Sequence, residues 1–231
     1  MLNLMKLELK KYKLTSFIRA AMIANIVIIV LTIVSIYATR IEGDKTLQDY
    51  NMVFMATEAF VRSTFMIFGA VLIAKFIIRE FNEKTITVLF MYPVSRQKLM
   101  TAKLLIIMAF ILSAIIVSDV ITCSAIYVIN LCVHVIPGTI TGSFVTKSFI
   151  KMFMNAISAT GISLIPLFFG MRKYSVAATI VSAVILSAVV SSSNSGVSVN
   201  DIIAIPIMLA LIGIGIAYLT IRNIEKVDLM N

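Results

Sequence analysis

Residues 20–39 read AAMIANIVIIVLTIVSIYAT, a run without a charge, bounded by Arg19 and Arg40. A helix of that length is about 30 Å long, the thickness of a bilayer's hydrocarbon core. The rest of the chain repeats the pattern. Uncharged or sparsely charged stretches run from about Ala59 to Ile78, from after Lys103 to about Tyr127, and over Met152–Met171, Ser175–Ser191 and Ile202–Ile221. Together they predict six membrane-spanning helices. Arg62 and Lys75, near the ends of the second, are long enough to snorkel to the interface. The composition agrees: 231 residues, 60% hydrophobic and 13% charged, with a mean hydropathy of +1.04. A soluble domain carries about 25% charged residues, so a soluble enzyme is excluded, and so is a disordered chain.

Twenty Lys and Arg against eleven Asp and Glu leave a net charge of +9. The basic residues sit beside the apolar runs, where they orient helices rather than bind nucleic acid. With both termini inside, 15 of the 20 fall in the cytoplasmic segments. Arg40, Lys45, Arg62, Lys147 and Lys151 fall outside, and the positive-inside rule selects this orientation. Tyr37, Tyr127, Tyr174 and Tyr218 lie near predicted span ends, where aromatic rings favour the interface. The residues after the first run, Ile36 to Arg40, fit a signal-peptide cleavage site poorly, so the run reads as a mature helix.

Two segments outside the spans carry pattern. Residues 1–19 place Leu2, Met5, Leu9 and Tyr12 on one stripe and Lys6, Lys10 and Lys13 beside it, as in a helix lying against anionic lipid. Residues 79–103 read REFNEKTITVLFMYPVSRQKLMTAK. Glu80 with Lys84, and Arg79 with Glu83, are four apart and suit a short charged helix. Leu89 to Tyr92 form an apolar knob, Pro93 breaks the helix, and Ser95 can cap a new one carrying Arg96 and Lys98. Such an elbow suits a docking site for a cytoplasmic partner or an interfacial loop lying on lipid.

The acidic residues, Thr85, the hydrophobic stretch, Pro93-Val94-Ser95-Arg96 and Lys103 opening the next span together resemble permease subunits of the ABC-2 type. The resemblance implies an all-α membrane protein of six transmembrane helices with cytoplasmic termini. It also implies an amphipathic elbow helix over 1–19 and a cytoplasmic coupling segment over 79–103, within one transmembrane domain. Carried over, Glu80, Glu83 and Thr85 lie on the coupling helix, Pro93, Val94, Ser95 and Arg96 form the turn after it, and Lys103 follows. The chain contains no G-x-x-x-x-G-K-[ST]. A separate cytoplasmic ABC ATPase is therefore the expected partner, and ATP and magnesium enter through it, with no cofactor on this chain. A second permease copy or paralogue and the membrane lipids complete the expected partners, in the plasma membrane. The resemblance favours export of a hydrophobic or amphipathic substrate, a peptide, bacteriocin or toxin among them. Residues 191–201 leave little room for the re-entrant helices some members carry before the last span.

Asp119 is the one acid deep in a predicted span. A charge there costs roughly 2.5–3.5 kcal/mol on insertion scales. It either lines a translocation path, meeting a cationic part of the cargo, or makes a packing hydrogen bond with Ser118 or Thr122. His134 reads as a loop or interface residue, and Cys123 and Cys132 as packing residues. Met152 and Met154 read as lipid-facing or core. Gly213 and Gly215 can admit a close helix without GxxxG spacing, and Pro166 and Pro206 can kink spans four and six. A membrane protease lacks its residues here: no G-x-S-G frame, and a single intramembrane aspartate. The other function class is a regulatory or assembly subunit that transports nothing.

Overall fold

The computed structural model describes residues 14–41, 50–82, 96–133, 142–191, 193–194, 197–198 and 204–227. Its helices are α1 (Leu14–Ile41), α2 (Tyr50–Ile73), a π-helical turn (Ala74–Ile78) leading into α3 (Arg79–Asn82), and α4 (Arg96–Val133). α5 (Gly142–Ile162), α6 (Pro166–Lys173), α7 (Val176–Ser191) and α8 (Ala204–Val227) follow. A two-residue antiparallel pairing, Ser193–Asn194 with Val197–Ser198, joins α7 to α8.

Four helical stretches are long and apolar enough to cross a membrane: Thr15–Thr39, Tyr50–Asn82, Gln97–Leu131 and Ser148–Lys173. The fifth and sixth expected spans coincide with shorter apolar helices, Val176–Ser191 and Pro206–Arg222. α7 has 16 residues, about 24 Å, which falls short of a typical hydrocarbon core. The second and third spans are longer than their hydropathy suggested, because α2 starts at Tyr50 and α4 runs for 38 residues. Residues 14–19, expected at the end of the leading helix, are the first turns of α1. Residues 1–13 and His134 lie outside the described residues.

Periodicity explains the packing. On α2, Val53, Thr57, Val61 and Phe65 recur every four residues and are almost wholly buried. On α4 the buried stripe is Lys103, Ile107, Ile111, Ile115, Asp119, Thr122 and Ile126. The opposite faces carry exposed Leu105, Val117, Val120 and Val128, a surface that suits lipid and not water. Hydroxyls in the spans bond back to their own helices: Thr32 to Ile28 O at 2.9 Å and Thr122 to Ser118 O at 2.8 Å. Tyr37, Tyr127, Tyr174 and Tyr218 are all exposed.

The described chain forms two compact units. One draws on residues 14–41, 50–64, 113–133 and 142–156. Ile36, Val53 and Ile126 cluster there with Tyr50, whose hydroxyl accepts from Asn130 Nδ2. The other draws on residues 65–82, 96–112 and those from 157 on. Within it Phe68 stacks on Phe110 at 6.1 Å, and α6 packs against α7, α8 and the π-helical turn.

The fourth expected span is broken rather than continuous. α5 ends at Ile162, a tight turn follows in which Ile165 N–H bonds to Ile162 O at 3.0 Å, and Pro166 opens α6. Proline suits that first position because its missing N–H has no helical partner there. Pro206 is the third residue of α8, in the first turn, so that helix needs no kink. α6 ends at Tyr174, whose φ of 46° is left-handed, and Ser175 Oγ accepts from Ala178 N–H to start α7.

α5 and α8 meet through small residues. A Cβ added at Gly213 would overlap the carbonyl oxygen of Gly161, and one at Gly161 would lie 2.6 Å from Ala210 Cβ. Gly215 faces open space. This pair makes a matched test. Gly213→Ala is expected to lower stability in mixed-micelle SDS unfolding by about 1–3 kcal/mol through overpacking. Gly215→Ala is expected to cost nothing and to gain up to about 1 kcal/mol of helix propensity.

Candidate functional site

Of the residues the sequence singles out for coupling, the structure brings two together. Glu80 on α3 and Lys103 on α4 form a buried ion pair, with side-chain exposures of 11% and 2%. Lys103 Nζ also donates to Phe76 O at 3.3 Å. The carbonyl belongs to the π-helical turn, where Arg79 N–H reaches back five residues to Ala74 O. A π turn widens the helix and redirects carbonyls, and such turns recur at functional positions. Here the widened turn delivers Phe76 O and the Glu80 carboxylate to one ammonium.

Residues 83–95, with Glu83, Thr85, Pro93, Val94 and Ser95, lie outside the described residues. Arg96 is the first residue of α4. The flanks of this segment are thus joined at their base by the Glu80–Lys103 pair, with the π turn on one side. The sequence pairs Glu80 with Lys84 at helical spacing, and Lys84 lies outside the described residues; among those described, Glu80 forms an ion pair with Lys103. Around Glu80, Arg79 and Asn82 are exposed. Phe81 meets Tyr174 at 6.0 Å between ring centroids, linking α3 to the α6–α7 turn.

Asp119 lies 14 residues before the end of α4 and is 3% exposed. The packing hydrogen bond expected with Ser118 or Thr122 does not form. Thr122 Oγ1 donates to the main-chain oxygens of Ser118 and Asp119, and Ser118 Oγ is buried without a partner. No hydrogen bond or ion pair reaches the Asp119 carboxylate among the described residues. It borders a cavity of about 220 Å³, shared with Glu58 on α2 and Lys151 on α5. Glu58 and Arg62 are the charges that act on it most strongly. Glu58 Oε1 accepts from Asn155 Nδ2.

Arg62, expected to snorkel outward, is 6% exposed. It lies one turn from Glu58 on α2, and the carboxylates within electrostatic reach give it a reason to stay inside. Glu58, placed by hydropathy just before the second span, lies inside α2. Cys123, expected as a packing residue, borders the cavity, as does Met152, while Met154 is exposed.

A family model described as ABC-2 family transporter protein matches residues 4–190. The chain belongs to the ABC-2 transporter family. A relative from Bacillus subtilis (strain 168), named uncharacterized protein YcbO, is 39% identical over 227 residues, covering 98% of this chain and 100% of its own. No solved structure matches. As an ABC-2 protein with several long apolar helices, it is a multi-pass membrane protein of the permease-subunit kind, and the family implies an ABC ATPase partner.

The buried pair of this ABC-2 protein makes an energetic prediction. Lys103→Met strands a buried carboxylate and is expected to cost about 3–5 kcal/mol. Glu80→Leu combined with Lys103→Met leaves an apolar contact and is expected to recover most of that loss. Unfolding of wild type, both single variants and the double variant in lipid–detergent micelles measures the coupling.

Proposed function

We propose that the chain is the membrane subunit of an ATP-driven exporter of hydrophobic or amphipathic substrates, peptides among them. It works in the plasma membrane as six spans with both termini cytoplasmic, paired with a second copy or a paralogue. It performs no catalysis itself. ATP and magnesium bind a separate ATPase that docks on residues 79–103.

The observation that carries this reading is the Glu80–Lys103 pair at the base of the docking segment, in a chain of the ABC-2 family. A push on residues 83–95 reaches α3 and α4 together, because the buried pair resists their separation. Lys103 also grips Phe76 O, so the motion enters the π turn and α2 directly. Glu83 and Thr85 belong to the surface the ATPase holds, and Pro93, Val94, Ser95 and Arg96 set the turn that returns the chain to α4. The cargo must bind the two resulting states unequally for ATP to drive it across.

Purification of the tagged chain from its native membrane in nanodiscs tests the partner. The expected result is a stoichiometric ATPase, lost when Pro93–Arg96 are replaced by Gly-Ser-Gly-Ser. A chain that co-purifies with no nucleotide-binding subunit under several mild conditions would contradict the proposal and favour a non-transporting assembly subunit.

A further inference from the structure

We infer that the cavity bordered by Glu58, Asp119 and Lys151 is a binding site for an organic ammonium group carried on a short apolar stem. The inference deepens the exporter proposal by naming the chemistry the cargo presents.

Three observations carry it. First, the Asp119 side chain borders the cavity, is 3% exposed, and has no hydrogen-bond or ion-pair partner among the described residues. Ionising a carboxyl group in that condition is costly unless something cationic meets it. Second, Glu58 supplies another carboxylate to the same space while Asn155 orients it through one oxygen. Third, Phe54, Met55, Met152 and Cys123 give the remaining wall an apolar part, beside the polar Asn51, Thr57 and Ser148. At about 220 Å³ the space equals roughly seven waters in liquid, far more than a bare metal ion fills. Among the described residues no group of three His, Cys, Asp or Glu could hold a metal. Carboxylates for a charged head and an aromatic-thioether wall for a stem match an alkylammonium.

The charges around Asp119 fix the electrostatics. α2 contributes Glu58 and Arg62, and α5 contributes Lys151, which borders the cavity and is itself exposed. Lys151 is an alkylammonium of the chain's own, so an incoming ammonium competes with it. Removing Lys151 should therefore tighten ligand binding, whereas removing either carboxylate should weaken it. A purely structural role for these residues predicts no such opposition.

The test is calorimetric titration of phenethylammonium into the full chain in phosphatidylcholine nanodiscs, without ATPase or ATP, with empty nanodiscs subtracted. The expected result is saturable binding, weakened at least tenfold by Asp119→Asn and by Glu58→Gln and strengthened severalfold by Lys151→Gln. Phenethyl alcohol, the neutral isostere, should not bind. Nanodiscs containing phosphatidylethanolamine separate two sources of the amine. Competition by that lipid assigns the site to a headgroup, and unchanged binding assigns it to a cargo from solution. Equal binding of the alcohol, no saturable signal, or variants that bind like wild type would overturn the inference. Because no ATPase takes part, that failure leaves the exporter proposal standing, and loss of the ATPase partner leaves this site standing.

Discussion

A bilayer offers no hydrogen bonds, so every charge and polar group inside the spans must find a partner within the protein. That constraint shapes both halves of this chain. Thr32, Thr57 and Thr122 return their hydroxyls to their own helices. Glu58 takes Asn155, Tyr50 takes Asn130, and Glu80 takes Lys103. Each of the last three ties together helices that are distant in sequence, where the apolar faces alone would slide. The polar contacts thereby fix register and the aliphatic stripes supply area. Among the described residues, Ser118 Oγ and Asn25 Oδ1 are buried without a hydrogen bond, and the Asp119 carboxyl faces a cavity.

The Glu80–Lys103 pair illustrates why such contacts sit where force must pass. Its electrostatic gain is offset by the cost of burying two charges, so its net contribution to stability is small. Its mechanical consequence is larger. α3 has only four residues and would be a weak lever alone, but Lys103 holds its carboxylate and the π-turn carbonyl at once. The short helix, the π turn and the start of α4 then respond as one body. At α5 and α8 the same need for rigid contact is met without charge, by glycines that bring backbone against backbone.

Much of this was legible in the sequence. The four long helices follow from uncharged length, and the small α5–α8 contact was foreshadowed by Gly213. The family resemblance rested on residues 79–103, and the family match covers them. What hydropathy missed was Glu58 and Arg62. A window average ends a span at a charge, so hydropathy starts the second helix at about Ala59, nine residues after its start at Tyr50. The four-residue recurrence of Val53, Thr57, Val61 and Phe65 runs through that charge and was the available signal. The Glu80–Lys103 pairing spans 23 residues and depends on how α3 returns to α4, which no local pattern encodes. The π turn likewise follows from a shift in hydrogen bonding that Ala-Lys-Phe-Ile-Ile does not announce.

The central claim is that the flanks of residues 83–95 move as one body under the ATPase. Spin labels at Asn82→Cys and Gln97→Cys, with Cys123 and Cys132 replaced by serine, read their separation directly. The measurement is made with the ATPase partner bound, before and after ATP. The account predicts one narrow distance that ATP leaves unchanged, and a broadened one when Glu80→Leu and Lys103→Met are added. A shift of about 5 Å or more, a full helical turn, on adding ATP to the chain with its ion pair intact would contradict it.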